Sequence, residues 1–160
     1  MNLYFEDLEV GQQFVSDART VTETDVVGFA GVSGDFNPIH LDRESTANGM
    51  FGQRVAHGVL GISIGTGLVD SLGLFRRTMG AMLGIDSWTF KEPIFIGDTI
   101  HLVLTIEGLR LTSKGGKGVV NRRFDLVNQH GRVAQTGVIT ALILGRPAAQ
   151  DAAHQLDAAE

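Results

Sequence analysis

The sequence contains no cysteine among its 160 residues. It therefore forms no disulfide and offers no thiolate metal site, which is compatible with a reducing compartment. Positive charge is also scarce, because 13 Lys and Arg stand against 18 Asp and Glu, for a net charge of −5. A chain with this balance and without a basic cluster lacks the electrostatic footprint of a nucleic-acid-binding protein.

Long apolar runs are missing as well. No stretch is long enough to span a bilayer, and the first ten residues carry Glu6 and Asp7 rather than the basic and then apolar pattern of a secretion signal. We therefore expect a cytoplasmic protein with no membrane partner. The length fits one domain, placed at residues 1–147. The Ala- and Gln-rich residues 148–160 are expected to form a disordered tail.

The most informative stretch runs from Gly34 to His40, where a carboxylate, an amide and an imidazole lie close together beside a proline. Pro38 restricts its own backbone and that of Asn37, which predicts an ordered, non-helical turn. Asp35 and His40 then point into one cavity, as paired acid and base chemistry requires. The alternative is plain turn chemistry, in which Asp and Asn side chains cap backbone amides and the histidine has no special role.

A buried helix is predicted from Gly58 to about Gly73, because almost every residue there is apolar or small. The run is too long for a buried strand. Upstream, a strand is expected over about 13–21, followed by a helix that starts at Thr22 and runs to about Val32. Gly34 suits the left-handed cap that ends this helix. A second short helical turn is expected around 42–47.

Four strands are predicted downstream, near residues 84–90, 98–112, 117–128 and 132–144. Gly-rich and Asn-Gln-His-Gly turns join the last three, so these strands form an antiparallel meander. A long buried helix followed by long antiparallel strands predicts an α+β domain in which the sheet curls around the helix. One such sheet leaves strand edges uncovered, so we expect a homodimer or an assembly of dimers.

Phe29 to His40 resembles the motif of the MaoC-like, (R)-specific enoyl-CoA hydratase family, in which Gly-Asp-x-Asn-Pro-aliphatic-His follows an aromatic residue. The resemblance continues through the segment from Phe51 to Gly58 and through Trp88 to Thr99, and covers roughly residues 5–145. It departs at Thr46, where the family usually has Ala or Ser. The resemblance implies a hot dog fold, with an antiparallel β-sheet wrapped around a long central α-helix.

The implied activity is the reversible addition of water to a trans-2-enoyl-CoA, which gives an (R)-3-hydroxyacyl-CoA. The resemblance implies that Asp35 and His40 hold the attacking water, with Asp35 as the preferred base. The Gly58 amide, at the start of the buried helix, is the candidate for stabilising the thioester oxygen. Thr66 falls where the family often has a hydrogen-bonding Ser, two helical turns along nearly the same face.

Asn37 and Pro38 are expected to support the site rather than touch substrate, and His57 is interpreted as structural. No metal is expected, because hydration of an activated thioester does not need one, and no cofactor is expected beyond the coenzyme A of the substrate. Two other functions remain open, a hot dog acyl-CoA thioesterase and a non-catalytic acyl-CoA-binding protein, since fold does not decide function.

Overall fold

The computed structural model describes residues 2–147. A single 3₁₀ turn, Phe5–Asp7, precedes the regular elements. The helices are α1 (Glu23–Ser33), α2 (Pro38–Leu41), α3 (Arg43–Ala47) and α4 (Gly58–Ser71). The strands are β1 (Gln13–Val15), β2 (Arg19–Thr20), β3 (Met79–Phe90), β4 (Thr99–Leu111), β5 (Lys117–Asn128) and β6 (Val133–Leu144).

All six strands belong to one antiparallel sheet with the order β1-β4-β5-β6-β3, and β2 also pairs with β4. The predicted meander is confirmed, because β4, β5 and β6 are neighbours joined by short turns. Strand β3 precedes them in the chain but pairs with β6, which leaves it at an edge of the sheet.

Helix α4 packs on the concave side of this sheet, as predicted. Its buried residues join one core with the inward-facing residues of β4, β5 and β6. Two of its glycines permit the close approach: a methyl group on Gly61 would overlap the Gln135 side chain, and one on Gly65 would touch Phe124 and Leu126. A sheet curled around one long helix is the hot dog arrangement that the resemblance implied.

Two strand predictions were wrong in their bounds. The single strand expected over 13–21 is interrupted at Ser16, whose hydroxyl accepts the Leu102 amide at 3.0 Å in place of a regular ladder bond. Strand β3 begins at Met79, five residues before the predicted start at Gly84. The added residues belong to an edge strand with register shifts, where an irregular backbone is tolerated.

Of the residues that the model describes, none belongs to a helix with the length and apolar character needed to cross a membrane. The tail expected at residues 148–160 lies outside the described part of the chain.

Candidate active site

Asp35 is positioned by the end of α1. The helix begins at a reciprocal cap between Thr22 and Asp25, and it ends where Gly34 adopts the left-handed conformation with φ of 77°. Both features were predicted from the sequence and are confirmed. The amide of Asp35 then donates to the Ser33 hydroxyl at 3.2 Å. The left-handed Gly34 thus ends the helix, and the bond to Ser33 fixes the backbone of Asp35 just beyond the helix end.

The residues after Asp35 form a short helix, which corrects the prediction of a non-helical turn over Gly34 to His40. Asn37 caps α2, because its side-chain oxygen accepts the Ile39 amide at 3.1 Å, and Pro38 occupies the first turn. Proline is well tolerated there, since its missing N–H would have no helical partner. The Asn37 amide donates to Asp35 Oδ1 at 3.2 Å, whereas Oδ2 of that carboxylate accepts no hydrogen bond within the described residues.

His40 lies in α2 with its ring mostly enclosed, the side chain being 12% exposed against 53% for Asp35. Its Nδ1 is 2.7 Å from the Val55 carbonyl oxygen, which can only accept a hydrogen bond, so Nδ1 carries a proton. In the neutral ring Nε2 is then an acceptor, and it lies 3.8 Å from Asp35 Oδ2. Two acceptors at this separation can bind the two hydrogens of a single water molecule.

His57 holds both of these residues in place. Its Nε2 donates to the Asp35 carbonyl oxygen at 2.9 Å, and its ring stacks on His40 with centroids 3.7 Å apart. It is 3% exposed, and its Nδ1 has no hydrogen-bond partner within the described residues. The structural interpretation of His57 therefore extends to positioning the candidate pair, which its place beside Gly58 in the sequence did not reveal.

Gly58 opens α4 and faces a cavity of about 330 Å³ that is also lined by His40, Phe90 and Gln135. As the first helical residue it carries an amide without a partner in its own helix. Its carbonyl accepts the Gln135 side-chain amide at 3.2 Å, and Gln135 in turn accepts the Trp88 indole N–H at 3.1 Å. These contacts fix the N-terminus of α4 relative to β3 and β6.

Thr66 does not share this cavity. Its hydroxyl donates to the Ser63 carbonyl within α4 at 2.7 Å. It lines a second cavity of about 300 Å³ with Val69, Phe75 and Arg122. Of the predicted site residues, His40 and Gly58 thus line the same cavity, Asp35 is next to His40 without lining that cavity, and Thr66 lies apart.

Asp35, His40 and His57 each offer one potential metal-ligating atom, and these atoms lie within 4.8 Å of one another. The imidazoles of His40 and His57 are stacked face to face rather than converging on a point, and one nitrogen of each is engaged by a carbonyl. The absence of a metal from the reaction therefore stays a prediction.

Comparison with known proteins relates this chain to one domain family. Residues 7–127 match the model of the MaoC like domain. The chain is 40% identical over 102 residues to protein MaoC of Klebsiella aerogenes, a match that covers 64% of this chain and only 30% of that protein. It is 38% identical over 107 residues to an (R)-specific enoyl-CoA hydratase of Rhodospirillum rubrum, covering 66% of this chain and 71% of the relative.

A solved structure is similar over nearly the whole fold. The MaoC-like dehydratase from Rhodospirillum rubrum superposes with a TM-score of 0.80 at 26% identity, covering 92% of this chain and 100% of the other.

Proposed function

Since this chain belongs to the MaoC-like domain family, we propose that it catalyses the reversible hydration of a trans-2-enoyl-CoA to an (R)-3-hydroxyacyl-CoA. The observation that carries the proposal is the pair of acceptors, Asp35 Oδ2 and His40 Nε2, which lie 3.8 Å apart, with His40 lining the cavity in front of Gly58. A water that donates to both presents its lone pairs to the β-carbon of the substrate.

In the proposed reaction the water oxygen bonds to the β-carbon while the Asp35–His40 pair takes up one proton. Electron density moves onto the thioester oxygen, which accepts the Gly58 N–H at the positive end of α4. The resulting enolate then takes a proton at the α-carbon, so that the elements of water are added and nothing else is consumed. Asp35 is the preferred base, and the pair as a whole returns the proton.

The test incubates the protein with crotonyl-CoA and measures the enone absorbance and the free thiol in the same reaction. We expect the enone absorbance to decay without release of free thiol, and the product to be oxidised by an (R)-specific rather than an (S)-specific 3-hydroxyacyl-CoA dehydrogenase. Thiol release at the same rate would instead identify a thioesterase. Binding of crotonyl-CoA with neither change would identify a non-catalytic acyl-CoA-binding protein, and either result would contradict the proposal.

We also propose that the protein is a homodimer joined along β3. This strand ends the sheet order, so its outer backbone groups lack a strand partner in the described chain, and it carries exposed apolar side chains at Met82, Leu83, Ile85 and Phe90. An unpaired, apolar strand edge is a template for pairing with another chain. Antiparallel pairing of two β3 strands around a twofold axis would cover both edges.

Sedimentation at micromolar concentration is expected to give a dimer. Introducing Leu83→Lys together with Ile85→Lys should give a monomer, because two lysines per edge place four charges in the interface. Val10→Lys, another exposed apolar position (64%) but away from β3, is the matched control and should remain dimeric. A wild-type monomer would contradict the proposal.

A further inference from the structure

A buried arginine lines the second cavity. Arg122 is 3% exposed and lies in the inward-facing row of β5 between Val120 and Phe124. Its neighbours across the sheet are Ile106 on β4 and Ile139 on β6, both fully buried. A guanidinium group therefore occupies a position that an apolar side chain would fill in an ordinary core.

Within residues 2–147 no carboxylate lies within ion-pair distance of this guanidinium, whereas its neighbour Arg123 pairs with both Glu107 and Asp125. The buried Nε of Arg122 has no hydrogen-bond partner in the same part of the chain. The guanidinium carbon lies 5.6 Å from the centroid of the Phe124 ring, a cation–π contact. Burial lowers the pKa of Arg122 to about 10, so the side chain remains positively charged at neutral pH.

An unpaired buried charge is costly, by several kcal/mol in typical cases. A buried guanidinium is stabilised when an anion pairs with it. The planar guanidinium can donate two parallel hydrogen bonds to a carboxylate. The rest of the cavity is largely apolar, with Val69, Phe75, Met79, Met82 and Phe124 in its lining. Its other polar lining residues are Thr66 and the Asp70–Arg76 pair, whose two charges compensate each other at 3.0 Å. A ligand that fits both features has an aliphatic body and a carboxylate at its end.

Both cavities lie along α4, because Gly58 lines the first and Thr66 and Val69 line the second. Thr66 is eight residues further along this helix than Gly58, which corresponds to a rise of about 12 Å. With C–C bonds of about 1.5 Å, a zig-zag chain of roughly ten bonds covers this distance. We infer that Arg122 receives the terminal carboxylate of a medium-length acyl chain, so that carboxyl-bearing enoyl thioesters are the preferred substrates. The inference depends on the proposed hydratase activity only for the position of the thioester end of the acyl chain.

Binding of saturated thioesters tests this inference independently of turnover. Isothermal titration would compare adipyl-, suberyl- and sebacyl-CoA with hexanoyl-, octanoyl- and decanoyl-CoA. We expect at least one carboxylated chain to bind the wild-type protein about tenfold to a hundredfold more tightly than its unsubstituted counterpart, the range of a charged hydrogen-bonded contact. Equal affinities at every length would overturn the inference, whatever crotonyl-CoA does.

Two substitutions then assign the effect to one side chain. Arg122→Leu should abolish the preference and retain or raise the Tm, because it replaces an unpaired buried charge by an apolar group. Arg123→Leu removes the same charge from the adjacent position, where the side chain is partly exposed and paired, and should keep the preference. A preference that survives Arg122→Leu, or a protein carboxylate found on Arg122 in a crystal of the unliganded protein, would overturn the assignment.

Discussion

Replacing Asp35 with Asn is expected to lower the rate of enoyl-CoA hydration by at least about a hundredfold, with little change in Tm. Asn keeps a side-chain oxygen that accepts the Asn37 amide, so the loop retains the bond that fixes it at 3.2 Å. What is lost is the negative charge that takes up the proton of the attacking water. His40→Ala removes the second acceptor and should have an effect of similar size.

The double variant separates a joint role from two independent ones. If Asp35 and His40 act on one water, Asp35→Asn with His40→Ala should be only slightly slower than either single variant, since residues that act as a unit are not additive. Independent roles would instead multiply the two losses. The rates of hydration and the thermal melts would be measured on the same purified proteins.

Asp42→Asn is the matched control, because Asp42 is a nearby carboxylate that caps α3 by accepting the Ser45 amide at 3.0 Å. Because Asn keeps the capping oxygen, this substitution should lower stability by about 1 kcal/mol or less and leave turnover per folded molecule intact. Under the turn-capping interpretation, Asp35→Asn would behave in the same way. Activity of Asp35→Asn within about tenfold of wild type would contradict its assignment as the base.

The features that were predicted from the sequence depend on neighbours along the chain. The cap of α1 joins Thr22 to Asp25, and the left-handed Gly34 needs only its own missing side chain. Strand alternation and hairpin turns are equally local, and β5 was predicted to the residue. The error at α2 was also local: Pro38 was interpreted as a barrier to helix, although a capping Asn37 and the first-turn position make it compatible with one.

The contacts that hold the site together join residues that are far apart in the sequence. His57 reaches the carbonyl of a residue 22 positions away, and Gln135 reaches Gly58 from 77 positions away. Such contacts depend on how α1, α4 and β6 pack, which no local pattern encodes. Arg122 differs, because it alternates in phase with Val120, Phe124 and Leu126 on β5 and therefore shares their buried face. A charged residue in an inward-facing row was therefore a signal available from the sequence.

Gly58→Val is expected to reduce kcat/KM for enoyl-CoA by about a hundredfold or more, the usual effect of losing one donor to a developing oxyanion. A β-carbon at this position lies 2.9 Å from the Phe90 ring and inside the cavity in front of α4. The thioester can then no longer approach the helix amide. The fold should persist, because valine costs the first turn of a helix no more than glycine does.

Ile64→Ala, on the buried face of the same helix, gives the opposite pattern and serves as the control. It should lower stability by about 2–5 kcal/mol while the remaining folded protein turns over normally. A second variant, Gly58→Val with Phe90→Ala, removes the ring that the new side chain would displace. If activity returns, the loss came from moving Phe90; if it stays low, the valine itself blocks the thioester. A folded Gly58→Val protein with near-normal turnover would remove Gly58 from the site.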